Sequence, residues 1–148
     1  MIQLDSQLED LEGKFMDLEH LFNQEGFFLG GGYEYDHGYY DKALDWEENK
    51  EHRAYLRIPV TAMEGSIGDR SARLRIGKPF VLKHEYQTGM DDYANAGLVS
   101  ATFDQFAEPA NKDADVELKW VKRAQAELSQ LEHRFNKSGR GGRNRTRI

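Results

Sequence analysis

No cysteine occurs among the 148 residues, so disulfides and thiolate metal sites are excluded and the composition carries no mark of an oxidising compartment. Proline appears only at positions 59, 79 and 109. No apolar run approaches the roughly 20 residues that cross a bilayer, and the opening Met1-Ile2-Gln3-Leu4-Asp5 lacks the basic and apolar regions of a secretion signal. The expected setting is the cytoplasm. Bases are scarce in the first third, where residues 1–52 hold 14 acids and 3 bases. Also missing are the phosphate-binding and dinucleotide glycine patterns, H-E-x-x-H, the EF-hand loop and G-x-S-x-G, so neither a metal nor a cofactor is expected. Gly30-Gly31-Gly32 has neither the spacing nor the Lys-Ser/Thr of a phosphate loop, and reads as a bend or close backbone approach.

What is present is uneven charge. Residues 53–83 hold 7 bases and 2 acids, residues 84–136 hold 10 acids and 5 bases, and the last twelve hold 5 bases and no acid. An acidic body does not suit a duplex nucleic acid, whose phosphates require a basic face. The length fits one domain, residues 1–136. The remainder, 137–148, is a low-complexity basic tail expected to be disordered; its single R-G-G gives a weak link to RNA.

The aromatic stretch 27–46 is the strongest structural signal. Two runs, 27–35 and 39–46, flank Asp36-His37-Gly38, which predicts a β-hairpin with a three-residue link and a left-handed glycine. Upstream, Leu4, Leu8, Leu11, Phe15, Leu18 and Phe22 fit one long amphipathic helix. Against it, Gly13 costs roughly 1 kcal/mol in a helix interior, and Asp17 would cap a shorter helix, 18–25, closed by Gly26.

Residues 53–63 alternate cleanly, with Ala54, Leu56, Ile58, Val60 and Ala62 on one face and Arg53, Tyr55, Arg57 and Thr61 on the other. Pro59 predicts an edge position or an outward amide. Residues 72–77 and 80–86 give two further strands, and a four-stranded antiparallel meander is the economical topology. Its polar face carries Glu34, Asp41 and Asp45 on early strands and Arg57, Arg73 and Arg75 on later ones, a pattern that cross-strand ion pairing would select. Asp115 caps a long C-terminal helix whose apolar stripe is Trp120/Val121, Ala124, Leu128, Leu131 and Phe135, ending near Gly139.

Five segments, in order, carry a family resemblance: G-G-G-Y-E-Y-D-H-G-Y-Y-D at 30–41, L-R-I-P-V-T-A at 56–62 with Gly65, R-I-G-K-P-F-V-L at 75–82, Y-Q-T-G-M-D-D at 86–92 and F-D-Q-F-A-E-P at 103–109. Together they resemble the YugN-like family of small bacterial proteins. The resemblance implies a compact α+β fold with an extended segment near residues 8–14 before the short helix. The resulting order is β-α-β-β-β-β-α, an antiparallel meander of four strands or slightly more with both helices on one face. It implies no catalytic or ligand residue.

Function is therefore weighed from candidate residues. His37 beside Asp36, and His84 with Asp91 and Asp92, are the types acid–base chemistry uses, although turn geometry alone explains His37. Tyr33, Tyr35, Tyr39 and Tyr40, with Arg57, Arg73 and Arg75, are the types enriched at interfaces, although aromatics of a hairpin also serve as core. The leading expectation is a non-enzymatic module that forms a homodimer or binds a small molecule or protein. The alternatives are a small acid–base enzyme at His37, His84 and Asp91, and an RNA-associated protein acting through 137–148.

Overall fold

The computed structural model describes residues 1–46, 54–84 and 116–139. Its axis is β5 (Ala54–Glu64), in which Ala54, Leu56, Ile58 and Val60 are buried and the intervening residues face the other way. One edge of β5 pairs antiparallel with β4 (His37–Ala43) over seven positions, and β4 pairs with the two-residue β3 (Phe28–Leu29).

The other edge of β5 carries β7 (Phe80–Lys83) along its first half and β6 (Arg73–Ile76) along its second. These are two halves of one strand. Ile76 opposes Val60 and Phe80 opposes Arg57, so Gly77-Lys78-Pro79 inserts one extra residue, a bulge. Pro59 sits opposite that break, and its carbonyl accepts from the Gly77 amide at 2.8 Å. Contrary to the edge expectation, Pro59 is central in the sheet. Its missing N–H interrupts nothing, because it faces the point where the neighbouring strand leaves the ladder.

The N-terminal segment is likewise a broken strand, β1 (Ile2–Gln3) on β7 and β2 (Glu12–Lys14) on β6. Between them Leu4 and Leu8 turn into the core, and Asp10 is left-handed at φ 74°. That conformation, with the β2–β6 ladder, rules out the single long helix over 2–25. The sheet thus follows the β-α-β-β-β-β-α order in antiparallel ribbons, with its first and last strands each split.

Helix α1 (Phe15–Gln24) begins three residues before the predicted start, so Asp17 lies inside its first turn, where its charge favours the helix N-terminus, and does not cap it. Its C-terminus closes as read from sequence. Gly26 is left-handed at φ 86°, its amide donates to the Asn23 carbonyl, and the Phe27 amide donates to that of Phe22. The two side chains bracketing this motif, Phe22 and Phe27, are fully buried with ring centroids 6.0 Å apart.

Helix α2 (Leu118–Gly139) buries Trp120, Ala124, Leu128, Leu131 and Phe135, the predicted stripe; the capping role of Asp115 falls outside the described residues. Residues 137–139, read as the start of the tail, are its last turn, and 140–148 lie outside the described residues.

Both helices lie on one sheet face and meet at Phe22, which stacks on Tyr40 of β4 at 4.3 Å and meets Phe135 of α2 edge-on at 5.6 Å. Charged clamps surround this joint. Lys42 of β4 pairs with Glu127 at 2.5 Å, Arg123 donates to the Leu44 carbonyl at 2.7 Å, and Glu132 accepts from Ser6 Oγ at 2.7 Å and the Gln7 amide at 3.1 Å.

Candidate interaction surface

The sheet face turned away from both helices is composed row by row through the strand register. Phe28, Asp41, Arg57, Phe80 and Gln3 form one row across five ribbons. Next to it lie Tyr39 and Pro59, then His37, Thr61, Arg75 and Glu12, then Glu64, Arg73 and Lys14. Period-two alternation along β4, β5 and β6 puts these side chains on the same side, and the register shift between Ala62 and Glu64 brings Glu64 onto it as well.

Aromatic surface and charge interleave here. The Arg57 guanidinium pairs with Asp41 through two parallel hydrogen bonds of 2.8 and 2.9 Å, and lies 4.7 Å from the Tyr39 ring centroid. Tyr39 in turn meets Phe80 edge-on at 6.3 Å. Phe28 is 61% exposed and Tyr39 40%, a large apolar area to leave in water. Arg75 bonds Glu12 at 2.8 Å, and Arg73 approaches the same carboxylate at 3.6 Å. The Arg75 hydrogen bonds, and to a smaller extent the positive charges, hold the Glu12 carboxyl below its ordinary value. The predicted cross-strand ion pairing is therefore present at Asp41–Arg57, whereas Arg73 and Arg75 find their partner on β2.

The predicted hairpin is displaced. The loop runs through residues 30–36, and its tight turn is at Tyr35-Asp36, closed by the Glu34 amide on the His37 carbonyl at 2.8 Å. Gly38 is already inside β4 and is not left-handed; it is small because Tyr33 packs against it. The turn is fastened by the Ala62 amide on the Asp36 carbonyl at 2.8 Å and the Ile67 amide on the Tyr35 carbonyl at 2.7 Å. On it Glu34, Asp36 and His37 bring ligand-type atoms within 4.8 Å of one another, with His37 Nδ1 2.9 Å from Asp36 Oδ1 and Nε2 4.0 Å from Glu34 Oε1. All three side chains are at least half exposed.

The interface candidates separate. Tyr39, Arg57, Arg73 and Arg75 share the open face, while Tyr33 and Tyr35 project from the turn beside it. Tyr40 is unavailable to any partner: one residue along β4 from Tyr39, it points into the core, is fully buried, and donates to Glu19 of α1. Burial, reinforced by that carboxylate, pushes its phenol well above the ordinary value of 10.

The acid–base candidates do not converge. His37 stands opposite Thr61 near the end of β5, whereas His84 follows β7 beyond the first residue of β5, beside Tyr55 at 6.0 Å. Strand rise puts the two histidines about 25 Å apart. Asp91 and Asp92 lie outside the described residues. Phe28, Phe80 and Glu12 are the surface residues that sequence reasoning did not single out. Phe80, two residues before Leu82 at the start of an apolar strand, carried a signal, but the pairing of residues 12–14 with β6 had none.

The fold defines a class: small α+β proteins in which an antiparallel sheet carries, among the described residues, two helices on one face. The chain belongs to the YugN-like family, whose model matches residues 3–135. It is 38% identical over 117 residues, 79% of this chain and 85% of the relative, to the uncharacterized protein YugN of Bacillus subtilis (strain 168). It is 30% identical over 87 residues, 59% of this chain and 70% of the relative, to the uncharacterized protein YlbA of the same organism. The crystal structure of the uncharacterized conserved protein YugN from Geobacillus kaustophilus HTA426 matches with a TM-score of 0.66 at 20% identity, covering 93% of this chain and 96% of that one, a likeness of fold. Among the described residues, no helix is long and apolar enough to cross a membrane.

Proposed function

We propose that this chain is a non-enzymatic, cytoplasmic binding module whose open sheet face docks a macromolecular partner. The observation that carries the reading is the row Phe28–Asp41–Arg57–Phe80 with Tyr39 above it, exposed aromatic area interleaved with an arginine on the face that neither α1 nor α2 covers. Tyrosine and arginine on a rigid sheet supply large contact area at low ordering cost, the composition that dominates binding energy at protein interfaces. A ladder-fixed sheet face suits a large partner better than a small ligand, which needs concavity. The separation of His37 from His84 argues against acid–base chemistry shared between them, and the cysteine-free composition supports the cytoplasmic setting.

The test is a photo-cross-linking amino acid placed at Tyr39 in living cells, with Met16 on the exposed side of α1 as control. Adducts of defined protein mass from position 39 and none from position 16 are expected. The absence of adducts at 39 overturns the reading.

A further inference from the structure

We propose that the partner is a second copy of this chain, docked face to face about a two-fold axis running along β5. This rests on the reading of the open face as an interaction surface and names its occupant.

Charge and symmetry point to this occupant. The two flanks of the open face carry opposite charge at the same level of the sheet. On the β4 side the turn before His37 presents Glu34 and Asp36, and His37 is their only ion-pair partner among the described residues. On the β6 side, across Thr61, Arg73 and Arg75 share the Glu12 carboxylate, with Lys14 next along β2 and Glu64 of β5 opposite Arg73, so three cations stand against two carboxylates. A surface acidic on one side of a line and basic on the other is complementary to itself after rotation by half a turn about that line, which is the requirement of an isologous interface. The line here is β5.

The residues on the line fit the same geometry. Thr61 and Pro59 are neutral, and Arg57 is already neutralised by Asp41 and stacked on Tyr39, so the middle of the line brings no bare charge against its own copy; Glu64, at the end of β5, stands opposite Arg73. Rotation about β5 preserves level along the strands. It lays Tyr39 of one copy over the Gly77–Phe80 bulge of the other, and the Glu34/Asp36 turn over Arg73 and Arg75. Two sheets related in this way keep their strands nearly aligned, the common packing of β-sandwiches. The strong charge unevenness of the sequence, acidic in residues 1–52 and basic in 53–83, then has a use beyond internal pairing.

Charge exchange tests it. Glu34→Lys with Asp36→Lys in one chain, and Arg73→Glu with Arg75→Glu in another, should each weaken self-association by at least about tenfold in sedimentation equilibrium. An equimolar mixture should recover it, because both sets of contacts are opposite in sign in the mixed pair. Circular dichroism confirms that each variant is folded. Should either fail to fold, the native absence of cysteine allows a second test: Thr61→Cys, close to the axis, forms a covalent dimer under mild oxidation while Met16→Cys does not.

A wild-type chain that stays monomeric at about 100 μM, two orders above a micromolar affinity, overturns the inference. So does a mixture that fails to recover, or equal cross-linking at 61 and 16. Adducts from position 39 to a different protein would leave the open face as a docking surface while removing the second copy.

Discussion

A Cβ on Gly38 would stand 2.8 Å from the Cβ of Tyr33 and 3.3 Å from Leu29 Cδ1. The contact is with the root of the tyrosine side chain, so it is relieved only by moving the loop backbone. Gly38→Ala is expected to cost about 1–3 kcal/mol in urea unfolding, as overpacking does in a tight site. Gly32, with no atom within 4 Å of its Cβ position, is the comparison, and Gly32→Ala should change stability by less than about 1 kcal/mol. Equal effects would mean that the 30–36 loop yields freely.

Gly38 also shows what the sequence could and could not display. A glycine after Asp-His is the same letter whether it serves a left-handed turn or a close approach, and only the position of Tyr33 distinguishes them. The same holds for the tyrosines: residues 39 and 40 look alike, yet alternation sends one to the open face and the other against Phe22. Where a period repeats along one element it was legible, as in β5 and the apolar stripe of α2, because burial writes it into every second residue of a strand and every third or fourth residue of a helix. Pairings between distant segments were not legible. Glu12 and Arg75 are 63 residues apart, and nothing local to either announces the other.

Tyr40 and Glu19 tie β4 to α1 at a fully buried phenol. Tyr40→Phe keeps the stack on Phe22 and removes only the hydrogen bond, which is expected to cost about 1–2 kcal/mol, since Glu19 is partly exposed and regains water. The folded-state phenol sits above its ordinary value of 10, so its contribution is complete below that pH and is lost as pH rises past it. Stability of the wild type should therefore fall above about pH 10 more steeply than that of Tyr40→Phe, measured as thermal midpoints across the alkaline range.

Acid acts on the opposite flank. The Glu12 carboxyl is held below its ordinary 4.5 by hydrogen bonds from Arg75. A depressed carboxylate stabilises the fold above its unfolded value, and that stabilisation is lost as pH falls through the folded value. The β2–β6 ladder should therefore loosen below about pH 4.5, seen as lower protection of the Gly13 and Phe15 amides against exchange. In Glu12→Gln this protection should already be reduced at pH 7, with little further loss on acidification. An unchanged pH dependence in that variant would place the acid sensitivity elsewhere, with Asp5–Lys78 the next pair to examine, since its carboxyl is lowered by the Lys78 hydrogen bond.

Arg57 and Asp41 are direct cross-strand partners whose side chains are each only about a quarter exposed. Screening is then incomplete, and a double-mutant cycle with alanine at both sites should give a coupling of about 0.5–1 kcal/mol. Geometry matters as much as charge. The guanidinium offers a planar fork to both carboxylate oxygens and a flat face to Tyr39, neither of which an ammonium can reproduce. Arg57→Lys should therefore lose most of the coupling while keeping the charge. If lysine retains it in full, a point charge suffices, and the stacking of Arg57 on Tyr39 contributes nothing to the rigidity of this face.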